Sequence, residues 1–385
     1  MRRSSRAQRV NHRREDAGAL GRRREAVGTE GRNAPGHCGG QRFTGETTGT
    51  AVGTMQDYKD RRIIVTGGAG AIGGSLTAAL ADAGAEVIVV DDLSSSSRWG
   101  VPARRNVRFV EGSVVDDGLL AAVFRERPSH VFHLAALFAN QNSVDNPERD
   151  LEVNGLGTLR VLQHARRSGA ERVVFASSGC APYGSDPPRP VHEEHLALDV
   201  HTPYQATKLL GELYCNYFCG HSAGNDALST VRVRPFNSYG PGEVPGRYRN
   251  VIPNFVYWAL RGEPLPITGT GEETRSFTYV GDIVDGFLRA GAAAAASGEA
   301  FNLASGEEIA ILDVARAINE LTGNRAGVRF VGRRAWDTQR RRVASTDKAR
   351  RVLGFEAQTG LHEGLARTVA WFRERWAQIE ADARF

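Results

Sequence analysis

Tyr204 and Lys208 stand four residues apart in the stretch Tyr204-Gln205-Ala206-Thr207-Lys208. On a helix that spacing puts a phenol and an ammonium on one face. A neighbouring cation favours the phenolate and lowers a tyrosine from its ordinary value of ~10. The product is a base able to take the proton of an alcohol. Ser177-Ser178 follow the apolar run Val173-Val174-Phe175-Ala176, so a hydroxyl is delivered where a strand ends. Each pattern is common alone, since a surface Tyr and Lys on a helix look the same.

A second set of residues is built to hold phosphate. Thr66-Gly67-Gly68-Ala69-Gly70-Ala71-Ile72-Gly73 satisfies G-x-G-x-x-G through Gly68, Gly70 and Gly73, and T-G-x-x-G-x-x-G through Gly67, Gly70 and Gly73. Glycine lets the loop turn tightly and bring its backbone against a pyrophosphate, which the next helix meets with unpaired N–H groups. Gly67, Gly70, Ala71, Ile72 and Gly73 are therefore candidate cofactor contacts. Asp91 lies 18 residues past Gly73 at the end of the next apolar run. That is the place for an acid that binds an adenosine ribose. A carboxylate there repels a 2′-phosphate, and the nearest basic residue downstream is Arg98. The cofactor predicted is NAD rather than NADP. A surface aspartate capping a turn is the plainer reading of Asp91.

The elements that position these groups can be read from the pattern. Ile63–Val65, Val87–Val90, Val107–Val110, Val131–Leu134 and Val173–Ala176 are short β-branched or apolar runs, with helix-like segments at Ser75–Ala83 and Gly155–Arg167 between them. Nearly continuous apolar strands alternating with helices mean a parallel sheet covered on both faces. The fold expected is α/β, a Rossmann-type doubly wound parallel sheet with a smaller C-terminal α/β lobe for substrate. A further strand is expected at Leu228–Val233, then a Pro- and Gly-rich stretch over Pro235–Gly271 and a strand-like Arg275–Val280. Helices at Leu312–Leu321 and Leu361–Ala377 and a strand at Val328–Val331 would complete the lobe. The boundaries expected are a disordered basic tail over 1–56, a dinucleotide domain over 57–235 and a lobe over 236–385, with a return to the first domain around 275–304.

The net positive charge is confined to the tail. Residues 1–54 hold 11 Arg and 5 acidic residues of the 49 basic and 44 acidic in the chain, leaving 38 basic against 39 acidic in the remainder. The body is near neutral, so a nucleic-acid-binding face on it is not expected. The tail has no hydrophobic period and reads as disordered. Its acidic residues and lack of apolar positions argue against a transit peptide or nucleic-acid arm. Met55 is an alternative starting residue. No run of ~18 apolar residues occurs, so no membrane span is expected, and the first residues hold no apolar signal segment. Cys38, Cys180, Cys215 and Cys219 form no CxxC pair. They read as small packing residues in a reduced, cytoplasmic protein rather than as a metal or disulfide set.

Taken in order, glycine loop, Ser177-Ser178, Tyr204 and Lys208 resemble the extended short-chain dehydrogenase/reductase family, the group that holds NAD-dependent nucleotide-sugar epimerases and dehydratases. Within it the chain is most similar to enzymes of the UDP-glucose 4-epimerase kind. Further segments carry the resemblance: His133-Leu134-Ala135-Ala136, Arg234-Pro235-Phe236-Asn237-Ser238-Tyr239-Gly240-Pro241-Gly242, Gly269-Thr270-Gly271 leading to Arg275-Ser276-Phe277, and Arg334-Ala335-Trp336-Asp337. It spans residues ~61–372. The resemblance implies that Ser178 holds the sugar O4 beside Tyr204 and that Lys208 also binds the nicotinamide ribose. It implies that Asn237 and Asn250 lie at the substrate diphosphate, that Arg275 and Arg334 grip its phosphates, and that Asp337 contacts the nucleotide side. For the two arginines the plainer reading is a structural ion pair. A homodimer is implied, through segments around 148–167 and 204–219.

Three reactions share oxidation at the sugar C4. The family's dehydratases follow the catalytic Ser or Thr with Asp and Glu, and its decarboxylases keep a Glu nearby. Gly179 and Cys180 stand here, and neither shuttles a proton as a carboxylate does, so 4-epimerisation is expected ahead of decarboxylation or 4,6-dehydration. The segment Ser178–Gly184 is one residue longer than usual. Counting from the strand selects Ser178, whereas counting back from Tyr183 selects Gly179; the strand end sets the geometry. Trp336 stands where glycine is common. One of Arg340-Arg341-Arg342 could reach a sugar carboxylate, and a solvated basic stretch is as good a reading. A non-catalytic dinucleotide sensor of this fold commonly loses the tyrosine or lysine, and both are present.

Overall fold

Strands of valine and isoleucine bury both faces only if helices cover each side of the sheet. The computed structural model describes residues 55–184, 186–220, 228–334, 336–337 and 339–385. The basic tail, Cys38 among it, lies outside the described residues except for Met55 and Gln56, which open a 3-10 turn ending at Tyr58. The first half runs β1 (Arg62–Thr66), α1 (Ala71–Asp82), β2 (Glu86–Asp91), β3 (Val107–Glu111), α2 (Asp117–Phe124) and β4 (His130–His133). It continues through α3 (Asn140–Asp145), α4 (Pro147–Asp150), α5 (Thr158–Ser168), β5 (Arg172–Ala176), α6 (Pro203–Gly220) and β6 (Ser229–Pro235).

Next come β7 (Ser238–Tyr239), α7 (Val251–Leu260), β8 (Leu265–Thr268), β9 (Thr274–Arg275), β10 (Thr278–Tyr279), α8 (Val280–Ala292) and β11 (Ala300–Leu303). The chain closes with β12 (Ile309–Ala310), α9 (Ile311–Thr322), β13 (Val328–Val331), β14 (Arg341–Arg342), α10 (Asp347–Leu353), α11 (Leu361–Glu374) and α12 (Trp376–Asp382). Seven strands form one parallel sheet in the order β11-β6-β5-β4-β1-β2-β3. Strand periodicity of two sorts the core. Ile63 and Val65 pack with Leu76 and Leu80 of α1 and Ile283 and Phe287 of α8. Ile64 faces the other way, onto Leu120 of α2, Val161 of α5 and Phe218 of α6. The order reverses between β1 and β4, which opens a crevice at the carboxyl ends of the strands.

A third apolar cluster holds the C-terminal lobe, with Ile252, Phe255, Ile267, Val314, Ile318, Leu365 and Phe372 buried together. Here the local pattern was least informative. The Pro- and Gly-rich stretch carries α7, and Arg275–Val280 is split into two short strands before α8 begins. Helix α1 starts at Ala71 rather than Ser75, because Gly73 packs against Gly67 and Gly74 against Gly100 where no Cβ fits. The helix expected over Gly155–Arg167 begins earlier, as a π-helical turn over Leu151–Gly157. The last expected helix breaks at Arg375. No described helix is long and apolar enough to cross a membrane.

Candidate active site

The crevice is a cavity of about 350 Å³. The glycine turn forms one wall. Gly67 has φ +71°, and a Cβ there would lie 2.6 Å from the Ala135 nitrogen, so only glycine serves. A Cβ on Gly73 would overlap the Gly67 carbonyl oxygen. Gly70 caps α1 without a side-chain acceptor, leaving the first N–H groups of the helix for a ligand. Gly67, Gly70, Ala71, Ile72, Gly73 and Asp91 all line the cavity. This cradle, closed to a Cβ at Gly67 and Gly73 and ended by a carboxylate, fits a dinucleotide.

Asp91 is largely committed. Its carboxylate accepts from Ala69 N at 3.0 Å, Leu93 N at 2.9 Å and Ser96 Oγ at 2.8 Å. It therefore braces the glycine turn as well as facing the cavity. Asp92 beside it accepts from Ser94 and approaches Arg149 at 3.7 Å. His133, at the end of β4, is held between Thr66 Oγ1 at 2.7 Å and Thr158 Oγ1 at 3.0 Å. Burial draws it down to about 3, so it is a neutral strut between strand and helix.

Opposite the glycine turn, Tyr204 and Lys208 lie one turn apart on α6, both buried and both on the cavity. The Lys208 ammonium donates to Ala176 O at 2.8 Å and sits 5.7 Å from the Tyr204 ring centre. Ser178, two residues past the end of β5, lines the cavity with Tyr204 and opposes the rise of its phenol. The count from the strand thus brings a hydroxyl to the cavity, and Gly179 instead passes under the Phe236 ring, where a Cβ would approach to 2.6 Å. Ser178 Oγ also lies 3.1 Å from Cys180 Sγ.

Burial, rather than the lysine, dominates the electrostatics of this pair. It holds the Tyr204 phenol above its ordinary value, with the Cys180 thiol adding to it and Ser178 opposing it. This corrects the expectation of a phenol lowered by its neighbour. The same burial draws Lys208 down to about 8, against the pull of Asp150. Asp150 is anchored by Thr207 Oγ1 at 2.6 Å and Asn154 Nδ2 at 2.7 Å.

Asn237 and Asn250 reach the same cavity, but Arg275, Arg334 and Asp337 are not among the residues that line it. Arg275 is buried and pairs with Asp337 at 3.3 Å, while it donates to the Gln339 carbonyl at 3.1 Å. These two residues satisfy each other and brace β9. Arg334 is exposed, with its guanidinium 5.7 Å from the Trp336 ring centre. Of the arginine run, Arg341 is taken by Glu308 at 2.6 Å, whereas Arg342 lines the cavity. Burial of Arg275 beside Arg342 draws the former down to about 10.

Three cavity residues outside every motif bear on the site. Phe138 stands edge-on to Tyr204 with ring centres 6.2 Å apart. Glu243 accepts from Asn250 Nδ2 at 2.9 Å, and Arg249 precedes Asn250. The only sequence signal for Glu243 and Arg249 was their nearness to Asn237 and Asn250. Cys180 and Cys215 are buried free thiols, and no metal-binding cluster occurs among the described residues.

A dinucleotide cradle, a Ser–Tyr–Lys set and a doubly wound sheet in this order define an NAD-dependent short-chain oxidoreductase site. The chain belongs to the NAD dependent epimerase/dehydratase family, whose model matches residues 63–304. It is 36% identical to the UDP-glucose 4-epimerase of Mycolicibacterium smegmatis over 82% of this chain and 99% of that one. It is 33% identical to UDP-glucuronic acid decarboxylase 1 of Xenopus tropicalis over 82% of this chain and 73% of that one. The structure of an epimerase from Methanothermobacter thermautotrophicus matches with a TM-score of 0.84 at 53% identity, covering 86% of this chain and 97% of the other. The cofactor of this family is NAD, and the glycine turn and Asp91 are the residues that would hold it.

Proposed function

We propose that the protein epimerises a nucleotide-activated sugar, a UDP-sugar foremost, at C4 through a transient 4-keto sugar. The observation that carries this reading is Ser178, Tyr204 and Lys208 together on the cavity of the glycine turn, while Gly179 and Cys180 bring no carboxylate beside them. Bound NAD supplies the acceptor and donor of the C4 hydride. Tyr204 takes the C4 hydroxyl proton on its phenolic oxygen and returns it after the ketone has turned over. Ser178 holds the same sugar oxygen. Lys208 keeps a positive charge near the phenol, fixed in place by the Ala176 carbonyl. Epimerisation needs no second acid, because one group serves both directions. Asn237, Asn250 and Arg342 are the cavity residues suited to the substrate diphosphate.

Decarboxylation of a UDP-uronic acid is the second reading, favoured by the 33% identity to a decarboxylase and by Arg342 on the cavity. The missing carboxylate after Ser178 weighs against it. A homodimer in the cytoplasm completes the proposal. Leu151, Leu156 and Leu213 are 55%, 40% and 55% exposed along the segments expected to pair, and the buried free thiols suit a reducing compartment. The test is NMR of the purified protein with NAD and UDP-glucose, UDP-N-acetylglucosamine, UDP-glucuronate and their 4-epimers. One epimer pair should reach a common mixture, and Tyr204→Phe should slow this by roughly 10²–10⁴-fold. A UDP-pentose product would overturn epimerisation in favour of decarboxylation. Sedimentation of the same sample at the mass of a single chain would remove the dimer.

A further inference from the structure

Arg249 sits on the cavity without a hydrogen-bonding partner for its guanidinium among the described residues. Its loop, between β7 and α7, packs against the start of α1. A Cβ at Gly242 would lie 3.3 Å from both Cα and O of Ala71. Arg249 is thus a largely desolvated cation within the field of Asp91 and Glu243. Neither carboxylate satisfies it. Asp91 is committed to Ala69 N, Leu93 N and Ser96 Oγ. Glu243 accepts from Asn250 N at 3.4 Å and Nδ2 at 2.9 Å. A guanidinium so placed keeps several donors in search of an anion, and its planar fork suits phosphate oxygens.

The loop is held from both sides without filling the cavity. Arg247 and Tyr248 reach Asp145 of α3 at 3.0 and 2.9 Å. On the other side, Arg247 N donates to Arg384 O at 2.7 Å, and Phe385 packs on Trp258 with ring centres 4.5 Å apart. Asp382 accepts from Trp99 Nε1 at 2.7 Å and from Ser97, in the loop that follows Asp91. The last residues of the chain therefore tie together the two loops that flank the glycine turn. Such bracing removes part of the entropy cost of ordering Arg249 on a ligand.

We propose that Arg249 is a second phosphate-binding element of the cofactor site, adding a charged donor to the backbone donors of the glycine turn. The assignment rests on NAD as the ligand of this cavity. It commits to the cofactor's pyrophosphate rather than the substrate's, because Asp91 acts on Arg249 and its loop packs through Gly242 on Ala71 at the start of α1, on the side of the glycine turn.

Calorimetric titration of the full chain with NAD in one arm and UDP in the other separates the two sources. Arg249→Ala should weaken NAD about tenfold or more, the worth of a hydrogen bond to a charged group. UDP should change less than about twofold, a difference below half a kcal/mol. Arg249→Lys should recover part of the loss, and the salt dependence of NAD binding should flatten in Arg249→Ala. Unchanged NAD affinity, or a loss confined to UDP, overturns the assignment. If Arg249→Ala does not fold, Arg249→Gln carries the same expectations. A wild-type chain that binds no NAD overturns the cofactor reading itself and is seen before any variant is made.

Discussion

The two walls of the cavity are built by opposite means. The wall proposed for the dinucleotide is backbone: a continuous stretch from Thr66 to Gly73 in which Gly67 and Gly73 admit no Cβ, braced by Asp91. The wall proposed for the sugar nucleotide is made of side chains that arrive from separate segments, Asn237 after β6, Asn250 before α7 and Arg342 on β14. A backbone wall depends on one local conformation. A side-chain wall depends on every segment that delivers a residue, so neighbouring arginines such as Arg341 and Arg342 meet different fates. The first kind resists change in charge and pH but tolerates no added atom. The second tolerates size changes and responds to charge.

The sharpest way to break this contrast is Gly73→Ala. Its methyl would overlap the Gly67 carbonyl oxygen, and NAD affinity measured by calorimetry should drop by about a hundredfold or more, the equivalent of ~3 kcal/mol. An alanine variant with wild-type affinity would show that the turn is not set by its glycines.

The next effect belongs to the side-chain wall. Burial raises the Glu243 carboxyl from 4.5 to about 7, with Arg249 and Asn250 opposing the rise. Its folded value lies above its unfolded one, so the folded state holds the proton more tightly. The contribution to stability is full below pH 4.5 and is lost as the pH rises to about 7. The loss is on the order of 3 kcal/mol at most. Glu243→Gln should flatten thermal stability across that window, and a variant that keeps the wild-type slope would place the titration elsewhere. The smallest effects separate two arginines. Arg342→Ala should weaken UDP about tenfold, whereas exposed Arg334→Ala should leave UDP affinity within about twofold and stability within ~0.5 kcal/mol. The reverse order would restore the role that the motif assigned to Arg334.

What the sequence determined by itself is local or periodic. The glycine turn, Asp91 at a strand end and the Tyr204–Lys208 spacing each lie within one element and its boundary, so spacing alone brings their atoms together. The parallel sheet was legible because β-branched runs buried on both faces admit few other arrangements. Tertiary structure decided the rest. Arg275 and Asp337 are 62 residues apart in the chain, and only the register of β9 beside β14 turns them into an ion pair away from the cavity. The phenol of Tyr204 is governed by burial, which no i,i+4 spacing reports. Arg249 carried no motif of its own. Its place on the cavity depends on Gly242, which lets its loop close on α1, and on Arg384 and Asp145, which hold that loop. Those contacts join residues more than a hundred positions apart, and only packing determines which of them meet.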